Sequence, residues 1–228
     1  MLTHNFKADI ALYRAVLAAG FALSKIESVQ TDDGACWATV LTHQKKPLVR
    51  ASNGGHGGPS EIAQLVDKGG RYHDLSPVQA EVDKLLAIPE VASRLRSERI
   101  ELEEGTWHYA VERIHKERTE AGENVTVEQV REQLQAESTA KIEAIKTGPL
   151  PSDEETVADF IGELTDIHQT IGRFRRAAKT KVGWFKKGAT DGSFYEIKGV
   201  DSPELRERIK AKYAVDFDGF IADEIAGL

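Results

Sequence analysis

The sequence predicts an α+β chain, with an N-terminal helix on a three-stranded antiparallel meander, a helical middle with an αα-hairpin, and a C-terminal β-hairpin plus helices. Three observations carry this reading. Runs suited to strands flank an Asp33-Gly34 turn signal near the start and an Asp191-Gly192 signal near the end. Between them, the apolar residues from Val157 to Phe174 recur at three- and four-residue spacing for about five turns.

Asn5 is a good helix cap, and Phe6, Ile10, Tyr13 and Leu17 follow at helical spacing until Gly20 stops the pattern. Residues 21–29, 36–41 and 48–51 then read as strands, the last two joined by a polar loop through Lys45 and Lys46. In the middle strand Trp37 and Thr39 share one face, while Cys36, Ala38 and Val40 share the other. A glycine-rich run leads to Ser60 and to a short helical pattern through Ile62, Leu65 and Val66.

Ser76, Pro77 and Gln79 supply a cap, a first-turn proline and a capping-box partner for the next helix. Pro89 interrupts it, an amphipathic stretch continues toward Ile100, and from Trp107 onward the chain reads as helix. Thr126 with Gln129 forms a second capping box, and Val127, Val130, Leu134, Ile142 and Ile145 keep a stripe that ends at Gly148-Pro149. Ser152 with Glu155 starts the helix of the long stripe, which holds Val157, Phe160, Ile161, Leu164, Ile167, Ile171 and Phe174. The tight Gly-Pro-Leu-Pro connection predicts that these two helices form the αα-hairpin. Their stripes can bury against each other or against a second copy, so a homodimer is among the expected partners.

Residues 182–186 and 194–198 read as a β-hairpin, Ser202 and Pro203 cap a helix carrying Leu205, Ile209 and Tyr213, and a last helix covers 217–225. The expected parts are an α+β meander at 1–75, a helical region at 76–178 and a small β-hairpin and helix unit at 179–228.

At 228 residues, 40% hydrophobic and 29% charged, the chain has the means to bury a core. No apolar run approaches the ~18 residues of a membrane span, and the N-terminus lacks secretory-signal character, so a cytoplasmic protein is expected. A single cysteine, Cys36, excludes an intramolecular disulfide and a cysteine-based zinc site. Charge is segregated. Lys and Arg number 12 against 11 Asp and Glu over residues 1–99, 6 against 17 over 100–166, and 12 against 9 over 167–228. Such a field can attract a basic partner surface.

Three groups of residues are candidates for binding. Asn53, Gly55, His56, Gly57 and Gly58 lie in a loop that could cradle an anion, since glycines permit close backbone approach and a helix beginning at Ser60 would aim amides at it. The competing account is a tight turn leaving an edge strand. Glu101, Glu103, Glu104 and Glu112 form an acidic face suited to a basic protein partner, or simply a solvated one. Arg173, Arg175, Arg176, Lys179, Lys181, Trp184, Lys186 and Lys187, with Phe174 and Phe185 interleaved, have the composition of a surface for nucleic acid or an acidic partner. Basic residues at a helix C-terminus also complement the macrodipole. No Gly-x-Ser-x-Gly elbow, His-Glu-x-x-His or phosphate-loop signature is present, so no catalytic residue, metal or cofactor is assigned.

The strand followed by Ser52, Asn53, Gly54, Gly55, His56, Gly57, Gly58 and Pro59 resembles the strand and Asn-Asp-Gly-x-Gly-Gly pattern of small uncharacterised proteins of phages and other bacterial mobile elements, with Gly54 where that pattern has Asp. The resemblance covers about the first 75 residues. It implies an accessory protein that binds and blocks a host defence or regulatory factor in the bacterial cytoplasm, as anti-CRISPR proteins do, and it carries over no active-site residue. The expected function is therefore a non-enzymatic inhibitor acting through a charge-segregated surface. Direct nucleic-acid binding by residues 173–187 is the first alternative, and a small enzyme taking a phosphate-bearing ligand over His56 is the second.

Overall fold

The computed structural model describes residues 5–31, 34–55, 60–64, 75–189 and 193–228. Asp33, Leu65, Val66 and the Asp191-Gly192 turn signal lie outside them. The chain groups into two compact units, Met1–Glu90 with Ser152–Leu228, and Val91–Pro151.

The first unit opens with α1 (Phe6–Ala18), capped by the Asn5 side chain, which accepts from the amides of Lys7 and Ala8 at 3.1 and 3.3 Å. Gly20, at φ +88°, turns the chain into β1 (Phe21–Thr31), followed by β2 (Gly34–His43) and β3 (Lys46–Asn53). All pair antiparallel, as the sequence predicts. Residues 61–64, expected as helix, instead form β4 (Glu61–Gln64), paired antiparallel with β3 through Ala51↔Ile62 and Ser52↔Glu61. Ile62 is fully buried there, an apolar gain that a single helical turn in the same place could not match.

One face of this four-stranded sheet carries Trp37, Thr39, Leu41, Val49, Ala51 and Ile62, and the last five are at most 2% exposed. The element that covers it is α5 (Glu154–Ala177), the helix of the long apolar stripe. Val157, Phe160, Ile161, Leu164, Ile167 and Ile171 are all buried. That stripe therefore meets the sheet and α1 of its own chain. The N-cap is Asp153 rather than Ser152, accepting from the Thr156 amide at 2.9 Å.

The short turn of 3₁₀ helix at Ser76–Val78 precedes α2 (Gln79–Leu86). The expected capping box at Ser76 does not form: Ser76 lies inside this turn, whose N-cap is Leu75, and Gln79 Nε2 donates to Asp83 Oδ1 one turn along. Pro89 does start a new helix, α3 (Pro89–Glu120), which runs unbroken for 32 residues.

The C-terminal part adds β5 (Lys181–Lys186), β6 (Phe194–Lys198), α6 (Pro203–Lys212), β7 (Phe217–Phe220) and α7 (Ile221–Glu224). The second sheet has the order β6-β5-β7. Residues 217–220, expected within a final helix, pair with β5 through Trp184↔Phe220 and Lys186↔Phe217. Ser202 caps α6 as predicted, accepting from the Leu205 amide at 3.2 Å. Phe6 of α1 stacks on Phe174 of α5 at 4.8 Å, and Phe174 meets Phe194 of β6 edge-on at 5.0 Å, so an aromatic cluster ties the helices to the second sheet.

The second unit is an antiparallel αα-hairpin of α3 and α4 (Val127–Thr147). Arg118 bonds Gln133, Lys141 reaches Glu103 and Arg96 donates to the Gly148 carbonyl, a set of pairs that fixes opposite directions. The hairpin partner of α4 is thus α3, whereas the expected partner, α5, belongs to the first unit. The capping box at the start of α4 forms as predicted, Thr126 Oγ1 accepting from the Gln129 amide and Gln129 Oε1 from the Thr126 amide. Among the described residues no helix is long and apolar enough to cross a membrane.

Candidate functional site

The acidic residues of the hairpin divide into two sets. Glu103 pairs with Lys141 at 3.3 Å, Glu117 with Arg113 at 3.0 Å and Glu120 with Lys116 at 3.8 Å. Glu101, Glu104 and Glu112 are exposed and have no ion pair among the described residues. At 3.6 residues per turn, 101, 105, 108 and 112 fall on one side of α3, with 102 and 109 adjoining. Leu102 is 67% and Tyr109 79% exposed, and His108 lies against the Tyr109 ring at 4.1 Å. Gly105 lies one turn from each, and a Cβ added there would meet nothing within 4 Å, so the surface between Leu102 and Tyr109 is open. Val111, half a turn from Leu102 and Tyr109, is buried, and Glu104 lies on the Val111 flank of the helix, away from both. The face combines uncommitted carboxylates with an exposed aromatic and an exposed aliphatic side chain, the composition of a protein-binding anchor. Reading acidity alone missed Leu102 and Tyr109, although their seven-residue spacing opposite Val111 was visible.

The basic stretch is dismantled by the fold. Trp184, expected to stack on bases, is 2% exposed in the core of the second sheet with Val182, Ile209 and Phe220. Alternation along β5 places it under α6, where Tyr213 lies at 5.1 Å and Tyr195 at 5.6 Å. Phe185 is buried and Phe174 belongs to the aromatic cluster. Arg175 donates to the Leu228 carbonyl and Lys181 pairs with Glu196 at 2.8 Å. Arg173, Arg176, Lys179, Lys186 and Lys187 remain exposed as cations, without an aromatic ring stacked on them among the described residues.

Of the glycine loop, His56, Gly57 and Gly58 lie outside the described residues. Asn53 Oδ1 accepts from the Gly55 amide at 2.8 Å, and Gly55 is at φ +74°, an arrangement that turns the chain out of β3. Because 61–64 is a strand, no helix start at Ser60 supplies amides to an anion.

A recess that sequence reading did not single out opens on the other face of the first sheet. Its volume is about 530 Å³, and Glu27, Cys36, Arg50, Ser52, Asn53 and Glu61 line it. Glu27, Ala38, Ser52 and Glu61 lie in one row across the four strands, and Arg50 is in the next row on β3. Arg50 has no ion pair among the described residues. Glu27, Arg50, Ser52 and Glu61 are residues that alternation points away from the core, which is the signal that would have found them, whereas Asn53 shares the Trp37 face.

Two titratable pairs in the first unit hold structure rather than a site. Tyr13 Oη and His168 Nδ1 share a hydrogen bond at 2.6 Å, and burial followed by the nearby Arg175 charge pushes the His168 imidazole below its ordinary value, which favours the neutral ring. Arg206 forks onto both Asp201 oxygens at 2.6 Å and reaches Asp223 at 2.7 Å, which holds the Asp201 carboxyl below its usual range. Among the described residues no three His, Cys, Asp or Glu side chains are grouped to hold a metal ion.

Comparison with protein-family models, with curated proteins and with solved structures finds no match for this chain.

Proposed function

We propose that this chain is a non-enzymatic binding protein whose helical hairpin docks a basic macromolecular partner through Glu101, Glu112, Leu102 and Tyr109. The observation that carries the reading is the coincidence on one side of α3 of carboxylates committed to no ion pair with side chains 67% and 79% exposed. Exposed aromatics concentrate binding energy, and surrounding charge sets partner choice and encounter rate. A partner that is basic because it handles nucleic acid fits this surface, and blocking its groove would make the chain an inhibitor of the phage accessory kind. Burial of Trp184 removes the stacking element from the nucleic-acid alternative.

The test is capture of partners by the tagged chain from a nuclease-treated bacterial lysate, repeated with Tyr109→Ala and with Glu101→Lys and Glu112→Lys combined. A protein held by the parent and lost by both variants supports the reading. Equal recovery by all three overturns it, and recovery that vanishes with nuclease moves the function to the exposed cations of residues 173–187.

A further inference from the structure

Strand β6 has the sequence Phe-Tyr-Glu-Ile-Lys, and every residue of it is exposed. It is an edge strand of the order β6-β5-β7, so one side of its backbone is paired with β5 and the other with no strand of the described chain. Which groups face outward follows from the register. Lys186 N bonds Ser193 O and Gly199 N bonds Thr180 O, and with Trp184↔Tyr195 and Val182↔Ile197 in the same register these are the alternate, doubly bonded pairs. Tyr195 and Ile197 therefore spend their amides and carbonyls on β5. Phe194, Glu196 and Lys198 turn theirs outward.

Natural edges are blunted by proline, bulges, short strands or charges of one sign. This one has no proline, and its two charged residues, Glu196 and Lys198, are of opposite sign, so they can complement a second copy instead of repelling it. Phe194 is 40%, Tyr195 38%, Ile197 38% and the following Val200 71% exposed.

We infer that β6 is a self-association edge, pairing antiparallel with β6 of a second copy about a two-fold axis at Ile197. The two-fold makes the contact isologous. In this register Glu196 of each copy lies opposite Lys198 of the other, as a doubly bonded pair, Ile197 faces Ile197, and Phe194 reaches Val200. The alternative axis at Glu196 would set like charges opposite each other. Charge complementarity thus selects both the occupant and the register. Lys198 has no ion pair in its own chain among the described residues, whereas Glu196 already holds Lys181 at 2.8 Å and has a second oxygen to offer. The two sheets become one of six strands across the axis.

Sedimentation velocity over a concentration series tests this. The parent chain is expected to show a reversible monomer to dimer transition, and Lys198→Glu and Glu196→Lys, each alone, to weaken it by about tenfold or more, because each places like charges opposite each other. Mixing the two variants restores a heterodimer, since one chain then carries a cation at both positions and the other an anion at both, and every cross-strand pair is again of opposite sign. A parent chain that stays monomeric at the highest soluble concentration overturns the inference. So does a dimer that persists in both variants, or a mixture that stays monomeric while circular dichroism shows each variant folded.

Discussion

A Cβ placed on Gly162 would lie 2.7 Å from Cζ2 of Trp37, so the α5 backbone and the indole of β2 are in direct contact. The middle of α5 holds a glycine because the sheet presents its largest side chain there. The helix accepts a propensity cost of about 1 kcal/mol in exchange for the close approach.

Gly162→Ala is accordingly expected to destabilise the first unit by about 1–3 kcal/mol, despite the better helix former, because the indole has to shift in a close-packed layer. Urea unfolding followed by circular dichroism measures this. Adding Trp37→Leu should recover part of the loss, and strictly additive effects of the two changes would refute the contact.

The pair of Tyr13 and His168 makes stability depend on pH. The folded imidazole has a lowered value, first through burial and then through Arg175, while the unfolded chain titrates near its ordinary value of about 6.5. As pH falls below about 6.5 the unfolded state binds the proton first, so this contribution, complete above that value, is lost on acidification. Denaturant midpoints should fall more for the parent than for His168→Gln between about pH 7.5 and about pH 5.5. Equal falls would show that His168 is not responsible.

The fork of Arg206 onto Asp201 gives a second test of the same sign at lower pH. Asp201 has a lowered folded value, set mainly by the Arg206 hydrogen bonds, so its contribution is present above about pH 4 and disappears as pH drops through the folded value. The guanidinium also lies over the Phe220 ring at 4.6 Å. Arg206→Lys keeps the charge but loses the planar fork and is expected to cost about 1 kcal/mol at neutral pH, the groups being partly open to solvent. The difference from the parent should shrink in acid, and a pH-independent difference would count against the ion pairs.

On the hairpin the expectation is silence. Reversing Glu101 and Glu112 breaks no ion pair among the described residues, so the melting temperature should hold to within what about 0.5 kcal/mol allows. A large fall would mean that these carboxylates serve the fold and that losses of partner binding in the same variant say nothing about a docking face.

The elements that local chemistry dictates were legible in the sequence. Asn5, Thr126 and Ser202 cap where their side chains predict, Gly20 ends the first helix, and the three strands of the meander fall into place. What was not legible depends on partners distant in sequence. Ile62 and Phe217 lie in segments short enough to be strand or helix, and only pairing to β3 and β5 decides. Val157 to Ile171 announce a buried stripe without saying what covers it, so proximity favoured α4 while the apolar sheet face won α5. Trp184 looked like a stacking residue because its neighbours are cationic. Its strand is buried on both faces, Trp184 against Ile209 and Phe220 and Phe185 beside Phe6, so neither ring is open to a base.

The order in which these parts are made has its own consequence. The first sheet is complete once residue 64 has left the ribosome, but its cover is encoded after the whole hairpin, from Glu154 onward. Trp37, Leu41, Val49 and Ile62 then have no lid while roughly 90 more residues are translated, about 5–20 s at usual rates of synthesis. A nascent chain halted within the hairpin would present that naked layer to chaperones or to other copies of itself. Any shortened version of the protein that stops before α5 should aggregate, whereas one that excises the hairpin and rejoins its flanks keeps both halves of the core.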